Sequence, residues 1–218
     1  MIDFNTLQLW LGYLLPGIGA TLRATVVAGL IFPILGILVC YLRLSRIAII
    51  RTVAIAYIEF IRGTPLIGQL FVAYYVFPFI GIKLSASFTG AVVLAINSSA
   101  YAAEAFRAGI ESIPEEQWEA GRILNLSSLF IFFRIIFPQS MPIILPVMGN
   151  ELITLLRATA ALSLIGVGEL LFRARDLSSI TYQPFPIMTI VLILYFLMSY
   201  PASELVRFIE RKLKHVSA

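Results

Sequence analysis

The sequence predicts an all-α integral membrane protein with five transmembrane helices, N-terminus outside and C-terminus inside, and a two-helix cytoplasmic segment between the third and fourth spans. Three observations predict it. The chain has 218 residues, of which 60% are apolar and only 13% charged, with a mean hydropathy of +0.94. Soluble globular chains run at about 45–50% apolar and about 25% charged, so one aqueous core cannot hide this much apolar surface and lipid must be part of the solvent. The apolar residues fall in runs near the roughly 20 residues a bilayer requires. The basic residues gather at the ends of those runs, on alternate connections.

Residues Met1 to Leu22 hold no Lys or Arg, so the positive n-region of a secretory signal is missing. Asp3 to Tyr13 is expected to form a short amphipathic segment lying on the membrane surface. The first span starts near Ile18, is free of charge from Ala24 to Leu42, and is closed by Arg43, Arg46 and Arg51. The second, about residues 52–80, is apolar but carries Glu59 and Arg62, three apart on one helix face and expected to neutralise each other. Gly63, Thr64 and Pro65 follow directly and break the helix, as happens where backbone lines a cavity rather than lipid. The third span covers about residues 84–109. The fourth, about 138–156, is the weakest, interrupted by Pro142, Pro146 and Glu151. The fifth, about 184–209, is strongly apolar until Glu204. No internal repeat divides the chain, which reads as one domain over residues 1–218.

Orientation follows from the short connections. With the first span running outward to inward, the cytoplasmic side receives Arg43, Arg46 and Arg51, then Arg107, Arg122 and Arg134, then Arg207, Arg211, Lys212 and Lys214. The opposite side holds Lys83, Arg173 and Arg175, with Arg23 and Arg157 as further candidates. Lys and Arg mark the cytoplasmic side, so these charges signal topology and not a nucleic-acid surface.

The segment Glu111 to Gln139 is the most informative. Ser112 followed by Glu115, with Pro114 in the first turn, reads as a capped helix start. Helix is expected through about Leu124. Asn125 then suits the left-handed residue that ends a helix, and Ser127 caps a second short helix that carries Arg134 and meets Pro138. Read from the residues alone, this is either an ordinary connecting hairpin or a rigid docking surface for a soluble partner.

The stretch Glu119-Ala120-Gly121, then Asn125, then Ile135 to Pro138 resembles the EAA motif of ATP-binding-cassette (ABC) importer permeases. The motif runs Glu-Ala-Ala, three residues, Gly, nine residues, then Ile, any residue, Leu and Pro. Gly121, Asn125 and Phe137 depart from it. Asn keeps the left-handed turn, whereas Gly121 costs about 1 kcal/mol of helix stability relative to Ala and is expected to loosen the docking helix. Three more stretches, in order, resemble the polar amino acid branch of that family. They are Glu59 to Leu66; Ser99 to Glu104 with Arg107 to Ile110; and Leu162 to Gly166.

The resemblance implies a bacterial inner-membrane permease for a polar amino acid. Two such subunits, identical or homologous, form the pore. Two cytoplasmic ATPase subunits grip the EAA-like helices, and an extracytoplasmic binding protein delivers substrate. ATP and Mg would be bound by the partner ATPase and no cofactor by this chain. The coupling helix around Glu115 to Leu124 would dock through Glu115, Trp118, Glu119, Ala120, Gly121, Arg122 and Asn125, with Trp118 either a rigid aromatic anchor or seated at the membrane interface.

Ionisable groups inside a bilayer face protein or water. Asn97, Tyr101 and Glu104 recur on one face of the third span, with Ser98 beside them, and Glu151 and Arg157 stand on the fourth. An amino acid needs acceptors and donors together, so these six are candidates for the substrate pathway, Asn97, Tyr101 and Glu151 foremost. Helix–helix hydrogen bonding is the competing reading. Where family members show Lys followed by an acid, this chain has Arg157-Ala158, which weakens the expectation of a cationic substrate, although Glu151 can still serve one.

Other classes are less well supported. No Walker A pattern is present, so ATP hydrolysis is not expected here. An ion-coupled secondary transporter using Glu59, Glu104 and Glu151 remains the alternative, but such proteins usually carry two related halves. The lone Cys40 and lone His215 leave no metal cluster or catalytic pair.

Overall fold

The structure, a computed structural model, describes residues 3–214, with side chains described as far as Lys212; His215 lies outside the described residues. In chain order the helices are α1 (Phe4–Arg43), α2 (Ala48–Gly63), α3 (Leu66–Phe71), α4 (Ala86–Glu111), α5 (Glu115–Ile123), α6 (Ser128–Ile131), α7 (Phe137–Ala158), α8 (Leu170–Thr181) and α9 (Pro184–Lys214). Among the described residues, four helical stretches are long and apolar enough to cross a membrane: α1, α4, residues 128–165 and α9. A fifth exists if α2 and the helical segment Leu66–Ile80 form one span, and these meet at a bend of 105°.

The surface-lying N-terminal segment expected from the sequence is corrected. Asp3 caps α1 by accepting from the Thr6 amide at 2.9 Å, and helix continues unbroken for 40 residues. At about 1.5 Å per residue that is roughly 60 Å, twice the hydrocarbon thickness. Trp10 and Leu14 are buried against Leu170, Ala174, Leu177 and Ile187 of α8 and α9. The overhang is held by protein, so it does not lie along lipid.

Helix α8 was not foreseen. Its first turn is capped by Glu169, whose carboxylate accepts from the Leu171 and Phe172 amides at 2.9 and 2.6 Å. Glu169 is wholly buried and also accepts from the Tyr195 hydroxyl at 2.8 Å. Burial pushes its carboxyl above the usual carboxylate range, against the opposing pull of these hydrogen bonds. The Leu170 amide donates to the Thr21 hydroxyl at 3.3 Å. One helix start thereby ties α1, α8 and α9 together.

At the centre α1 packs along α4 through small residues. A Cβ added at Gly36 would lie 2.5 Å from the Cβ of Ala102. Without a hydrophobic drive between helices in lipid, such close backbone approach supplies the van der Waals contact that holds them. Outward faces carry exposed apolar side chains such as Leu30, Ile34, Phe79 and Leu192, as lipid requires.

Candidate substrate pathway and docking helix

The break between α2 and α3 explains the polar residues around it. The Ile61 carbonyl would bond the residue four ahead, but that residue is Pro65, which has no N–H. The Gln69 side-chain amide donates to that carbonyl at 2.9 Å and to the Thr64 hydroxyl at 2.9 Å. The Thr64 hydroxyl in turn donates to the Phe60 carbonyl at 2.8 Å. Freed backbone acceptors are thus met by side chains from the same segment, as a membrane interior demands.

Across from the break, the Asn97 amide nitrogen donates to Gln69 Oε1 at 3.0 Å. The expected pairing of Glu59 with Arg62 is absent from the ion pairs of the described residues. Instead the Arg62 guanidinium sits over the Tyr101 ring, 5.3 Å from its centroid. Ile58 and Ile61 turn the other face of α2 into the core, which leaves Arg62 on the side where the half-exposed Tyr101 ring offers a cation–π partner.

Sequence spacing put Asn97, Tyr101 and Glu104 on one face, and the structure divides their partners by height. From Asn97 to Glu104 the helix rises about 10 Å. Glu104 lies at the level of the end of α1, where it pairs with Arg43 and, at 2.9 Å, with Arg107. Arg107 also pairs with Glu111. Glu104 is therefore part of a four-residue ion cluster that the sequence did not reveal, since Arg43 was read only as a topology signal.

Ser98 is buried, and its hydroxyl faces the Glu151 carboxylate. The structure thus brings α4 and α7 together at Ser98 and Glu151, with Asn97 one residue away. Arg157 is exposed in the last turn of α7 and joins none of the ion pairs among the described residues. Gln69 was missed, although a lone amide in a long apolar run four residues beyond a proline is a readable signal.

The short helix α5 starts at Glu115, with Pro114 at its N-cap. Glu115 and Glu116 in the first turn suit the helix dipole. Ser112 does not cap it, which corrects the capping-box expectation: its hydroxyl donates to the Gly109 carbonyl at 2.7 Å, closing α4 instead. Asn125 has φ +59°. The Asn125 amide donates to Arg122 and the Leu126 amide to Gly121, at 2.9 and 3.1 Å, the double closure of a Schellman turn.

Ser127 caps the next helix through the Phe130 amide at 3.3 Å. That helix is not a separate short element as expected. It passes through a wide turn at Phe132–Ile136 into α7, so Arg134 lies on the same continuous helical stretch as α7. Gly121, expected to loosen the elbow, is buried with α6 close above it: a Cβ there would come within 2.7 Å of Ile131. Its lack of a side chain brings α5 and α6 together.

On the outer face of α5, Glu119, Ala120 and Arg122 are exposed, and Arg122 lies 3.5 Å from Glu115. Trp118 is half-buried. Ile123, Leu124 and Leu129 are exposed at 83%, 70% and 71%, an apolar patch beside charges that sequence reasoning did not pick out.

A helical membrane bundle with a broken span, polar groups turned inward between its helices and an exposed, rigidly closed short helix at one end is the architecture of a transporter permease subunit. The chain belongs to the family described as "binding-protein-dependent transport system inner membrane component", which matches residues 33–215. It is 34% identical to the probable amino-acid ABC transporter permease protein YckA of Bacillus subtilis, over 93% of this chain and 90% of that protein. It is likewise 34% identical to the putative glutamine transport system permease protein GlnP of Rickettsia bellii, over 92% of this chain and 93% of that one. The crystal structure of an amino acid ABC transporter with histidines superposes with a TM-score of 0.90 at 36% identity, covering 97% of this chain and 99% of the other.

Proposed function

We propose that this chain forms, with a second identical or homologous subunit, the translocation pathway for a polar amino acid across a bacterial inner membrane. The observation that carries the proposal is the meeting of Ser98 on α4 with Glu151 on α7, next along α4 to Asn97, in a chain whose relatives are amino-acid permeases. An acceptor-rich spot with one carboxylate suits the ammonium of an amino acid, while Arg62 or Arg157 can meet its carboxylate. Tyr101 holds Arg62 in place. Glu104 serves the ion cluster near the inner end of the pathway.

Five spans with the N-terminus outside fit the positive-inside pattern. The Arg43–Glu104 pair sets the end of α1 beside the end of α4, while Gly17 meets Leu170 at the opposite end. The α5 elbow then faces the cytoplasm. There Glu115, Glu119, Arg122 and the Ile123–Leu124 patch would seat in one of two ATPase subunits, which bind ATP and Mg, while an extracytoplasmic binding protein delivers substrate. Ala120, Gly121 and Asn125 set the helix's shape, and Trp118 packs its inner side.

Reconstitution tests the reading. Liposomes holding this chain with the ATPase and binding protein should take up radiolabelled polar L-amino acids only with ATP inside the compartment that faces the ATPase. Changing Glu119 and Leu124 together to Arg should strip the ATPase from the purified complex. Uptake by this chain alone, driven by an ion gradient, would overturn the proposal in favour of a secondary transporter.

A further inference from the structure

We infer that Gln69 is a positioning residue for substrate: it fixes which atom of Asn97 faces the pathway and links that choice to the bend of the second span. The inference rests on the pathway role proposed above for Asn97.

The argument is one of amide geometry. Gln69 Nε2 is committed to the break, with Ile61 O and Thr64 Oγ1 at 2.9 Å and Thr64 O at 3.3 Å. A primary amide is planar, so anchoring the nitrogen aims Oε1, and Oε1 points at α4, where it accepts from Asn97 Nδ2. Asn97 is then oriented in turn. One of its two N–H donors is occupied, which fixes the flip of the amide and turns the carbonyl oxygen, with two lone pairs, away from Gln69 to meet a ligand. An oriented acceptor next along α4 to Ser98, which itself faces Glu151, is what an ammonium group requires. Without Gln69 Oε1 the Asn97 amide turns freely and presents a donor to the same space, which repels an ammonium. The break at Pro65 therefore does more than bend the span: through one side chain it sets the polarity of the facing helix.

Two substitutions separate this role from mere repair of the backbone. Gln69→Met keeps the length but removes both functions of the amide. Gln69→Glu removes the donor to Ile61 but keeps an acceptor for Asn97, because a carboxylate has oxygen at both terminal positions and needs no anchor to choose between them. The experiment measures uptake by the complete complex with ATPase and binding protein in proteoliposomes. The probe is whichever of radiolabelled L-glutamine, L-arginine, L-histidine or L-cystine the wild type transports.

Positioning requires KM to rise about tenfold in Gln69→Met, the effect of one lost oriented hydrogen bond to a charge. It also requires KM to stay within about twofold of wild type in Gln69→Glu, and Asn97→Ala combined with Gln69→Met to be no worse than Asn97→Ala. An unchanged KM in Gln69→Met, or an equal rise in Gln69→Met and Gln69→Glu, overturns the inference. If Gln69→Met does not assemble, Gln69→Glu decides alone: an unchanged KM supports positioning and a raised one overturns it. Wild-type KM in an assembled Asn97→Ala complex overturns the pathway reading itself. A raised KM in Asn97→Ala with a normal one in Gln69→Met overturns only the role of Gln69.

Discussion

Arg43 at the last turn of the first helix is paired with Glu104, 61 residues further along the chain, and Glu104 shares its other oxygen with Arg107. One half-buried carboxylate thus joins the end of α1 to the end of α4 just ahead of the α5 elbow. Replacing it by the isosteric amide leaves two guanidinium groups competing for a neutral partner. Glu104→Gln is expected to destabilise the purified complex by about 1–3 kcal/mol, read as a lowered thermal midpoint. KM for substrate should change less than twofold. A large KM effect with unchanged stability would return Glu104 to the substrate pathway.

Glu151 should behave in the opposite way. Glu151→Gln keeps shape and a partner for Ser98 but loses the charge available to an ammonium. Uptake assays should show KM raised about tenfold, equivalent to about 1.4 kcal/mol, with normal yield of the assembled complex. Wild-type kinetics would remove this residue from the pathway.

At the elbow, Gly121→Ala sets a gain of up to about 1 kcal/mol in helix propensity against overpacking on Ile131 that costs about 1–3 kcal/mol. Packing should win. The substitution is expected to weaken ATPase retention in pull-down, and Ile131→Val added to it should recover part of the loss. A single variant that binds as well as wild type would show that α6 yields freely.

Glu169 gives a prediction in pH. Burial raises its folded value above the ordinary 4.5, so the folded chain prefers the protonated form. The stability from this preference is present below about pH 4.5 and is lost as pH rises through the folded value. Melting of wild type and Glu169→Gln from pH 4.5 to 8 should show the wild type losing ground to the variant as pH rises. Glu169→Ala, which removes the cap (about 1 kcal/mol) and the hydrogen bond from the Tyr195 hydroxyl (about 1 kcal/mol), should be less stable throughout.

Much of this architecture was legible because lipid imposes a simple code. Charge-free runs and flanking arginines located the apolar helices, and Gly63-Thr64-Pro65 located the bend. The left-handed turn at Asn125 followed from residue type alone, as did the cap at Ser127. What escaped was tertiary. Helix α8 has too few apolar residues to declare itself, and glutamate is not a favoured N-cap, so Glu169 gave no local signal. The extension of α1 to Phe4 depends on partners in α8 that lie some 160 residues away. Arg62 was assigned a partner on its own helix and Glu104 a place in the substrate pathway, because spacing reports only neighbours along a helix, whereas Tyr101 and Arg43 reach them from other helices. Gly121 was judged by intrinsic propensity, when the determining fact was Ile131 above it.

The meeting of Gly36 with Ala102 bears on how such a molecule can work. With no side chain on one helix and a single methyl on the other, the two backbones interlock so closely that a slide of an ångström or two drives atoms into each other. The first and fourth helices must therefore travel as one mast. Whatever opens and closes the pathway has to be the articulated pieces rigged around it, the bent α2–α3 pair on one flank and the proline-rich α7 on the other.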